Sequence, residues 1–170
     1  MAVYGFVIRQ SRNLRNIDTI KLLYTSLVRP KLEFASIIWS QYYAINVNAI
    51  EKIQKKMLTY LFFRKFNYYT VQVPYVELLS MFDLQQLSLR RATASILYIR
   101  KLVRGEVDDV NIMGKINFVV PRSTTRSRAL FYIPHCRTNY TLNSPVNSMI
   151  QSYNRVARFL RFGNFVHSKK

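Results

Sequence analysis

Residues 83–105 read DLQQLSLRRATASILYIRKLVRG and indicate the fold class. Its apolar residues recur every three or four positions, which predicts a long α-helix with one buried face. The side chains that we expect on that face are Leu84, Leu87, Ala94, Leu97 and Tyr98. Asp83 and Gln86 have the spacing of a capping box at the start of the helix, and Gly105 is placed to cap its end.

Helical spacing continues on the N-terminal side of this stretch. Residues 18–39 predict one kinked helix or two short ones, because Pro30 cannot donate a backbone hydrogen bond. A further helix is predicted over residues 47–63, and a short one over residues 74–81. We therefore expect a helical domain over residues 1–113.

The pattern changes beyond residue 113. Two β-prone segments, KINFVV and ALFYIP, flank the polar segment PRSTTRSR, which predicts a loose hairpin or an extended basic arm over residues 114–144. Ser144 and Pro145 then have the order of an N-cap and a first helical residue. We expect an amphipathic C-terminal helix and a frayed tail over residues 145–170, so the predicted fold is mainly α.

The charge of the chain is strongly unbalanced. Its 170 residues include 26 Lys and Arg but 8 Asp and Glu, which gives a formal net charge of +18. No acid follows Asp109, and such a basic tract indicates nucleic acid more often than an anionic membrane. Cys136 is a single cysteine, and the chain shows neither an export signal nor a long apolar run. These features predict an intracellular protein, cytoplasmic or nuclear, that is not secreted.

Catalytic motifs are weak in this sequence. Asp108 and Asp109 form an adjacent acidic pair, but a polymerase site would need flanking strands and a third carboxylate to hold two magnesium ions. We expect the pair to cap the short turn that follows. His135 and Cys136 lack a local third group, and there is no glycine-rich phosphate loop. The sequence predicts no catalysis by this chain alone, no cofactor, no metal and no small-molecule substrate.

Basic residues that share a helix face or a polar segment are candidate contacts to nucleic acid. The lysines of the helix over residues 47–63 lie one turn apart, so they form either a phosphate contact or a solvated face. The C-terminal part offers arginines for phosphate and an aromatic ring for stacking. These candidates are Lys52, Lys55, Lys56, Arg122, Arg126, Arg128, Arg137, Asn139 and Tyr140.

Five segments in one order resemble a known family. They read YGFVIRQS (4–11), IKLLYTSLVRPKLEFASIIWSQYY (20–43), IEKIQKKMLTYLFFR (50–64), DLQQLSLRRATASILYIRKLVRGEVD (83–108) and RTNYTLNSP (137–145). Together they are similar to the region that follows the reverse-transcriptase palm in insect non-LTR retrotransposons of the jockey type. The resemblance spans nearly the whole chain.

The resemblance implies a thumb-like helical bundle that grips RNA or an RNA:DNA duplex. The parent enzyme is an RNA-directed DNA polymerase, and its magnesium-binding aspartates lie in an upstream palm that this chain lacks. The chain would be a truncated fragment whose partners are nucleic acid and the missing palm and fingers, without a membrane. The family positions carried over as duplex contacts are Lys55, Lys56, Arg90, Arg91 and residues 137–145. The alternative is a basic structural or interaction protein that docks on a ribonucleoprotein or an anionic membrane.

Overall fold

The computed structural model describes residues 2–39, 44–68, 73–119 and 129–167, with side chains as far as Ala157 except those of Trp39 and Ala44. Within these ranges the chain is mainly helical, as the sequence predicts. It divides into two compact units, Met1–Arg91 and Ala92–Lys170. The predicted domains instead had a boundary at residue 113.

The first unit is built from helices. It contains α1 (Ala2–Gln10), a 3-10 turn (Ser11–Asn13), α2 (Ile17–Leu23), a π-helical turn (Tyr24–Val28), α3 (Arg29–Glu33), α4 (Ser36–Trp39), α5 (Ala44–Phe66), α6 (Tyr75–Met81) and the start of α7 (Leu87–Val103). The second unit holds the rest of α7 with α8 (Val110–Met113), β1 (Asn117–Phe118), β2 (Phe131–Tyr132), α9 (Asn139–Leu142) and α10 (Pro145–His167). Among these described elements, no helix is long and apolar enough to cross a membrane.

Helix α5 supplies much of the core of the first unit. Its apolar side chains Ile53, Met57 and Leu61 are buried, and they belong to one core cluster with Val7 and Tyr24. Burial of each large apolar side chain stabilises the fold by roughly 2 kcal/mol. Helix α1, which contributes Val7, was not predicted from the sequence.

The predicted kink near Pro30 takes the form of a change in helix type. Pro30 lies in α3, and the five residues before α3 form the π-helical turn. Because Pro30 has no N–H to donate, the α-helical hydrogen-bond series cannot continue through it. The segment therefore divides, and Ala35, with a φ of 50°, separates α3 from α4.

The start of α7 corrects the predicted capping box. The helix begins at Leu87 rather than directly after Asp83, whose φ of 48° places it in a left-handed turn. The backbone N–H of Ser88 donates to Glu51 Oε1 at 2.6 Å. A carboxylate from α5 thus takes the capping role that the sequence pattern assigned to Asp83, because it satisfies an N–H in the first turn.

The buried face of α7 also differs from the prediction. Leu84 and Leu87 are buried as expected, but Leu97 is 46% exposed. The buried side chains of the helix are Leu87, Arg91, Ser95, Ile99 and Leu102. Two of these buried residues, Arg91 and Ser95, are polar. A hydrophobicity pattern assigns polar residues to the surface, so it does not predict their burial.

The end of α7 agrees with the sequence. Gly105 has a φ of 72°, its N–H donates to Leu102 O at 3.1 Å, and the N–H of Glu106 donates to Lys101 O at 2.9 Å. These two bonds form a Schellman motif, in which glycine adopts the left-handed conformation at the least cost. The predicted C-terminal cap is confirmed.

Two short strands of the second unit form an antiparallel pair within the predicted arm. Asn117 lies opposite Tyr132, and Phe118 lies opposite Phe131. The two β-prone segments therefore pair as a hairpin would require. Residues 120–128, with the candidates Arg122, Arg126 and Arg128, lie outside the described residues.

Helix α10 starts where the sequence predicts. Pro145 is its first residue and follows Ser144, whose carbonyl accepts the N–H of Ser148 at 2.9 Å. The helix runs to His167, so part of the tail that we expected to fray is helical. Its buried side chains within the described part are Asn147, Met149, Ile150 and Asn154.

Candidate nucleic-acid interface

The three predicted lysines of α5 lie together on an exposed face. Lys52, Lys55 and Lys56 line a groove of about 710 Å³ in the first unit, which we name the lysine groove. Its other lining residues are Tyr4, Asn48, Glu51, Thr59, Tyr60 and Tyr75. The groove therefore combines three ammonium groups with three phenol rings, a combination that the sequence pattern of α5 alone did not reveal.

The single carboxylate of the lysine groove is already engaged by the protein. Tyr75 donates its hydroxyl proton to Glu51 Oε2 at 2.7 Å, while Glu51 Oε1 accepts from the N–H of Ser88. Glu51 is 9% exposed. Because both oxygens accept bonds from the fold, the lysines remain the charged groups that the groove offers to a ligand.

A buried polar network continues behind Glu51. Tyr24 donates its hydroxyl to Gln54 Oε1 at 2.8 Å, and Gln54 Nε2 donates to Tyr75 Oη at 3.2 Å and to Gln85 O at 2.8 Å. Gln54 is fully buried. Each polar group of its side chain has a partner, so the network is stabilising rather than costly. It fixes the base of the lysine groove against α6 and the turn before α7.

The tyrosines of this network keep their protons at neutral pH. Burial raises the pKa of Tyr24 far above its ordinary value of 10.0. Burial also raises the pKa of Tyr75, and its hydrogen bond to Glu51 adds to the effect. Both phenols therefore act as hydrogen-bond donors, which is the role that the geometry requires.

Alkaline pH is expected to destabilise the fold through Tyr24. The unfolded chain releases the Tyr24 proton near pH 10.0, whereas the folded chain retains it because its pKa is raised. The stabilising effect is therefore complete below pH 10 and declines as the pH rises above it, by about 1.4 kcal/mol per pH unit. Urea unfolding between about pH 9 and 11 measures this decline.

Two phenylalanine variants isolate the contribution of Tyr24. Tyr24→Phe should show a shallower alkaline decline than the wild type, because the buried titrating phenol is gone. Tyr140→Phe is the matched control, since Tyr140 is 84% exposed. A decline of equal steepness in Tyr24→Phe and the wild type would contradict the assignment.

One wall of the lysine groove is held by Arg64. The hydroxyl groups of Tyr60 and Ser11 are 3.0 Å apart and share a hydrogen bond, and the Arg64 guanidinium lies 6.0 Å from the Tyr60 ring centroid. Arg64 also donates to Arg12 O at 3.0 Å and to Leu14 O. These contacts tie α5 to the segment after α1, so Tyr60 has a fixed position in the groove.

Arg90 and Arg91 do not lie in the lysine groove. Arg90 forms a two-point ion pair with Glu33, with Nε–Oε1 at 2.5 Å and Nη2–Oε2 at 3.1 Å, and this hydrogen bonding raises the pKa of Arg90. Arg91 is 4% exposed, and its Nε donates to Leu87 O at 3.2 Å. Both residues contact the protein itself, which does not fit the predicted role in binding nucleic acid.

The described candidates of the second unit share one short turn. Thr138 caps α9 by accepting the N–H of Thr141 at 3.3 Å. The adjacent candidates Arg137, Asn139 and Tyr140 are all exposed. The capped turn thus presents a cation, an amide and a ring to solvent.

One member of the acidic pair, Asp109, has the local role that the sequence predicts. Asp109 is the N-cap of α8, and its Oδ1 accepts the N–H of Ile112 at 3.1 Å. Its Oδ2 accepts the hydroxyl of Tyr98 at 3.3 Å. In the part of the chain that the structure describes, no three His, Cys, Asp or Glu side chains are grouped as metal ligands.

Comparison with known proteins identifies no family for this chain. The chain matches no family model, and no curated protein or solved structure matches it. The lysine groove and the exposed turn of α9 are therefore the features that indicate a function. Both offer positive charge beside aromatic rings, which suits a phosphate-bearing ligand.

Proposed function

We propose that this chain is a non-catalytic nucleic-acid-binding module that acts inside the cell, in the cytoplasm or nucleus. In this proposal it is a thumb-like fragment of a retrotransposon RNA-directed DNA polymerase, and it grips RNA or an RNA:DNA duplex. The observation that carries the proposal is the lysine groove, in which Lys52, Lys55 and Lys56 lie on one face of a helix.

The spacing of these lysines suits a nucleic-acid backbone. Residues three or four apart on a helix have Cβ atoms about 5–6 Å apart, so long side chains can reach neighbouring phosphates. The internal network of Glu51 and Gln54 holds their helix in place. The net charge of +18 adds a long-range attraction to any polyanion.

The resemblance to jockey-type elements supports the same reading. Lys55 and Lys56 belong to one of the similar segments, and so does the exposed turn with Arg137 and Tyr140. Three large apolar side chains of the first unit, Phe34, Ile38 and Ile45, are 77%, 71% and 82% exposed. Such exposure suits a module whose missing palm and fingers would cover it in the parent enzyme.

The C-terminal helix fits an amphipathic description. Met149 and Ile150 of α10 are buried, whereas Arg155 is exposed. A helix of this kind packs one face on its own unit and presents the other to solvent or to a ligand. We include the exposed Arg155 of this helix in the proposed binding surface.

Replacement of the three groove lysines tests the proposal. In Lys52→Ala/Lys55→Ala/Lys56→Ala, we expect about tenfold weaker binding to an RNA:DNA duplex. The log–log salt slope should fall by up to about 3, because each neutralised phosphate contributes about 0.9. Fluorescence anisotropy titrations between about 50 and 200 mM salt measure both quantities.

A charge-matched variant controls for the loss of three cations. Arg12, Arg15 and Lys31 are exposed in the same unit and do not line the lysine groove. Their joint replacement by Ala should leave most of the slope unchanged. Equal slopes for the lysine triple and the wild type would refute a phosphate grip by the groove, and an affinity that ignores salt would refute the whole proposal.

A second candidate is a basic interaction protein that docks on a ribonucleoprotein or an anionic membrane. The exposed apolar side chains of Phe34 and Ile38, combined with the high positive charge, favour it. Flotation with vesicles of anionic phospholipid, together with no shift of a duplex, would support this candidate. Duplex binding without flotation would support the nucleic-acid module.

A further inference from the structure

The lysine groove contains more aromatic surface than a phosphate contact needs. Tyr4 of α1, Tyr60 of α5 and Tyr75 of α6 line it beside the three lysines. Phosphates are bound well by lysines, hydroxyl groups and backbone N–H groups alone. All three are half-buried and pack against the core of the first unit, and the part of each ring that stays exposed offers a second kind of contact in the same groove.

The faces of nucleobases provide such a contact when the strand is single. In a duplex the bases are stacked on one another, so a protein surface meets mainly phosphate and sugar. In a single strand a base can leave the stack and lie on an aromatic ring, which adds affinity for each base that does so. The groove volume of about 710 Å³ is ample for one nucleotide.

We propose that the lysine groove binds an unpaired nucleotide of a single strand, with its phosphates at Lys52, Lys55 and Lys56 and its base against the tyrosines. This inference rests on the proposed function and deepens it by naming the ligand of the groove. A single strand then places both its phosphates and a base in the groove, whereas a duplex contacts the same lysines through its phosphates alone.

The walls of the groove are suited to this ligand because they are fixed before it arrives. Tyr75 is held by Glu51 and Gln54, and Tyr60 is held by Ser11 and Arg64. Rings whose positions are fixed lose little entropy on binding. Tyr4 completes the groove from α1, where burial and then the nearby Tyr60 phenol raise its pKa.

Oligonucleotides that differ in their bases alone provide the direct test. The full chain is titrated by anisotropy, at one salt concentration, with a single strand of roughly 12 nucleotides. The other probes are the same strand with abasic central sites and the corresponding duplex. We expect the abasic strand to bind at least about fivefold more weakly than the intact strand, although both carry the same phosphates.

Two variants of Tyr4 connect the base preference to the groove. Tyr4→Leu removes one of the three rings and should reduce the difference between intact and abasic strands. Tyr4→Phe keeps the ring and should retain the difference. Circular dichroism verifies that both variants fold, and the lysine triple variant, altered at exposed positions, should weaken binding of both strands.

Equal binding of intact and abasic strands would overturn the inference, and so would a base preference that is undiminished in Tyr4→Leu. Displacement of the strand by an equal concentration of adenosine monophosphate would also overturn it, since a free nucleotide would then be the ligand. In each case salt-dependent duplex binding would leave the proposed function intact. Failure to bind any of the probes would refute the proposed function itself.

Discussion

Replacement of Glu51 by alanine is expected to lower the free energy of unfolding by about 3 kcal/mol. Glu51 accepts the hydroxyl of Tyr75 and the N–H of Ser88, so one side chain of α5 joins both α6 and α7. Its removal leaves two donors without the acceptor that Glu51, itself 9% exposed, provides. Each such donor costs about 1–3 kcal/mol.

Urea unfolding of three variants separates this effect from a general loss of negative charge. Glu51→Gln keeps an acceptor oxygen in place and should lose less stability than Glu51→Ala. Glu77→Ala is the control, because Glu77 is exposed in the neighbouring helix α6. If Glu51→Ala unfolded within about 0.5 kcal/mol of the wild type, as surface substitutions do, the network would not stabilise the first unit.

The role of Glu51 also shows why the sequence located α7 only approximately. The end of the helix was predictable, because its cap is local: Gly105 bonds to Leu102, three positions before it, and Glu106 bonds to Lys101, five positions before it. The start was not, because its capping carboxylate lies 37 residues away. Asp83 was the best capping residue that the local sequence offered, but the carboxylate of Glu51 accepts the N–H in the first turn instead.

The candidate site was predictable to a similar extent. The exposed face of Lys52, Lys55 and Lys56 followed from helical spacing alone. The ion pair of Arg90 could not be predicted from local spacing, because its partner Glu33 lies 57 residues away and in another helix. The rings that complete the lysine groove come from α1 and α6 as well as α5, so no spacing within one segment could have revealed them.

Three acidic residues of this chain serve the fold. Glu33 pairs with Arg90, Glu51 caps α7 and Asp109 caps α8. The exposed lysines of the groove have no such use in the described contacts. This division explains how a chain with a net charge of +18 can hold its helices together and still present positive charge to a polyanion.

In the second unit, the side chain of Asn154 stabilises β2 through two hydrogen bonds to the backbone of Phe131. Its Oδ1 accepts the N–H of Phe131 at 3.3 Å, and its Nδ2 donates to Phe131 O at 2.9 Å. The side chain thus bonds to both backbone groups of Phe131, as a neighbouring strand would. Asn154 is 5% exposed. Asn154→Leu has a similar volume but leaves both backbone groups of Phe131 buried and unsatisfied. We expect it to lower the free energy of unfolding by roughly 2–3 kcal/mol.

Hydrogen exchange at the Phe131 amide gives a local measurement of this anchor. In the wild type the amide should exchange slowly, because it is bonded to a buried side chain. In Asn154→Leu its exchange should accelerate, whereas Arg155→Ala, an exposed neighbour on α10, should leave it slow. Slow exchange in Asn154→Leu would show that β2 is held by other contacts, such as those of the Phe131 ring with Phe118 and Tyr153 at 5.3 and 5.0 Å. Fast exchange would instead establish that one amide side chain fixes the base of the basic arm.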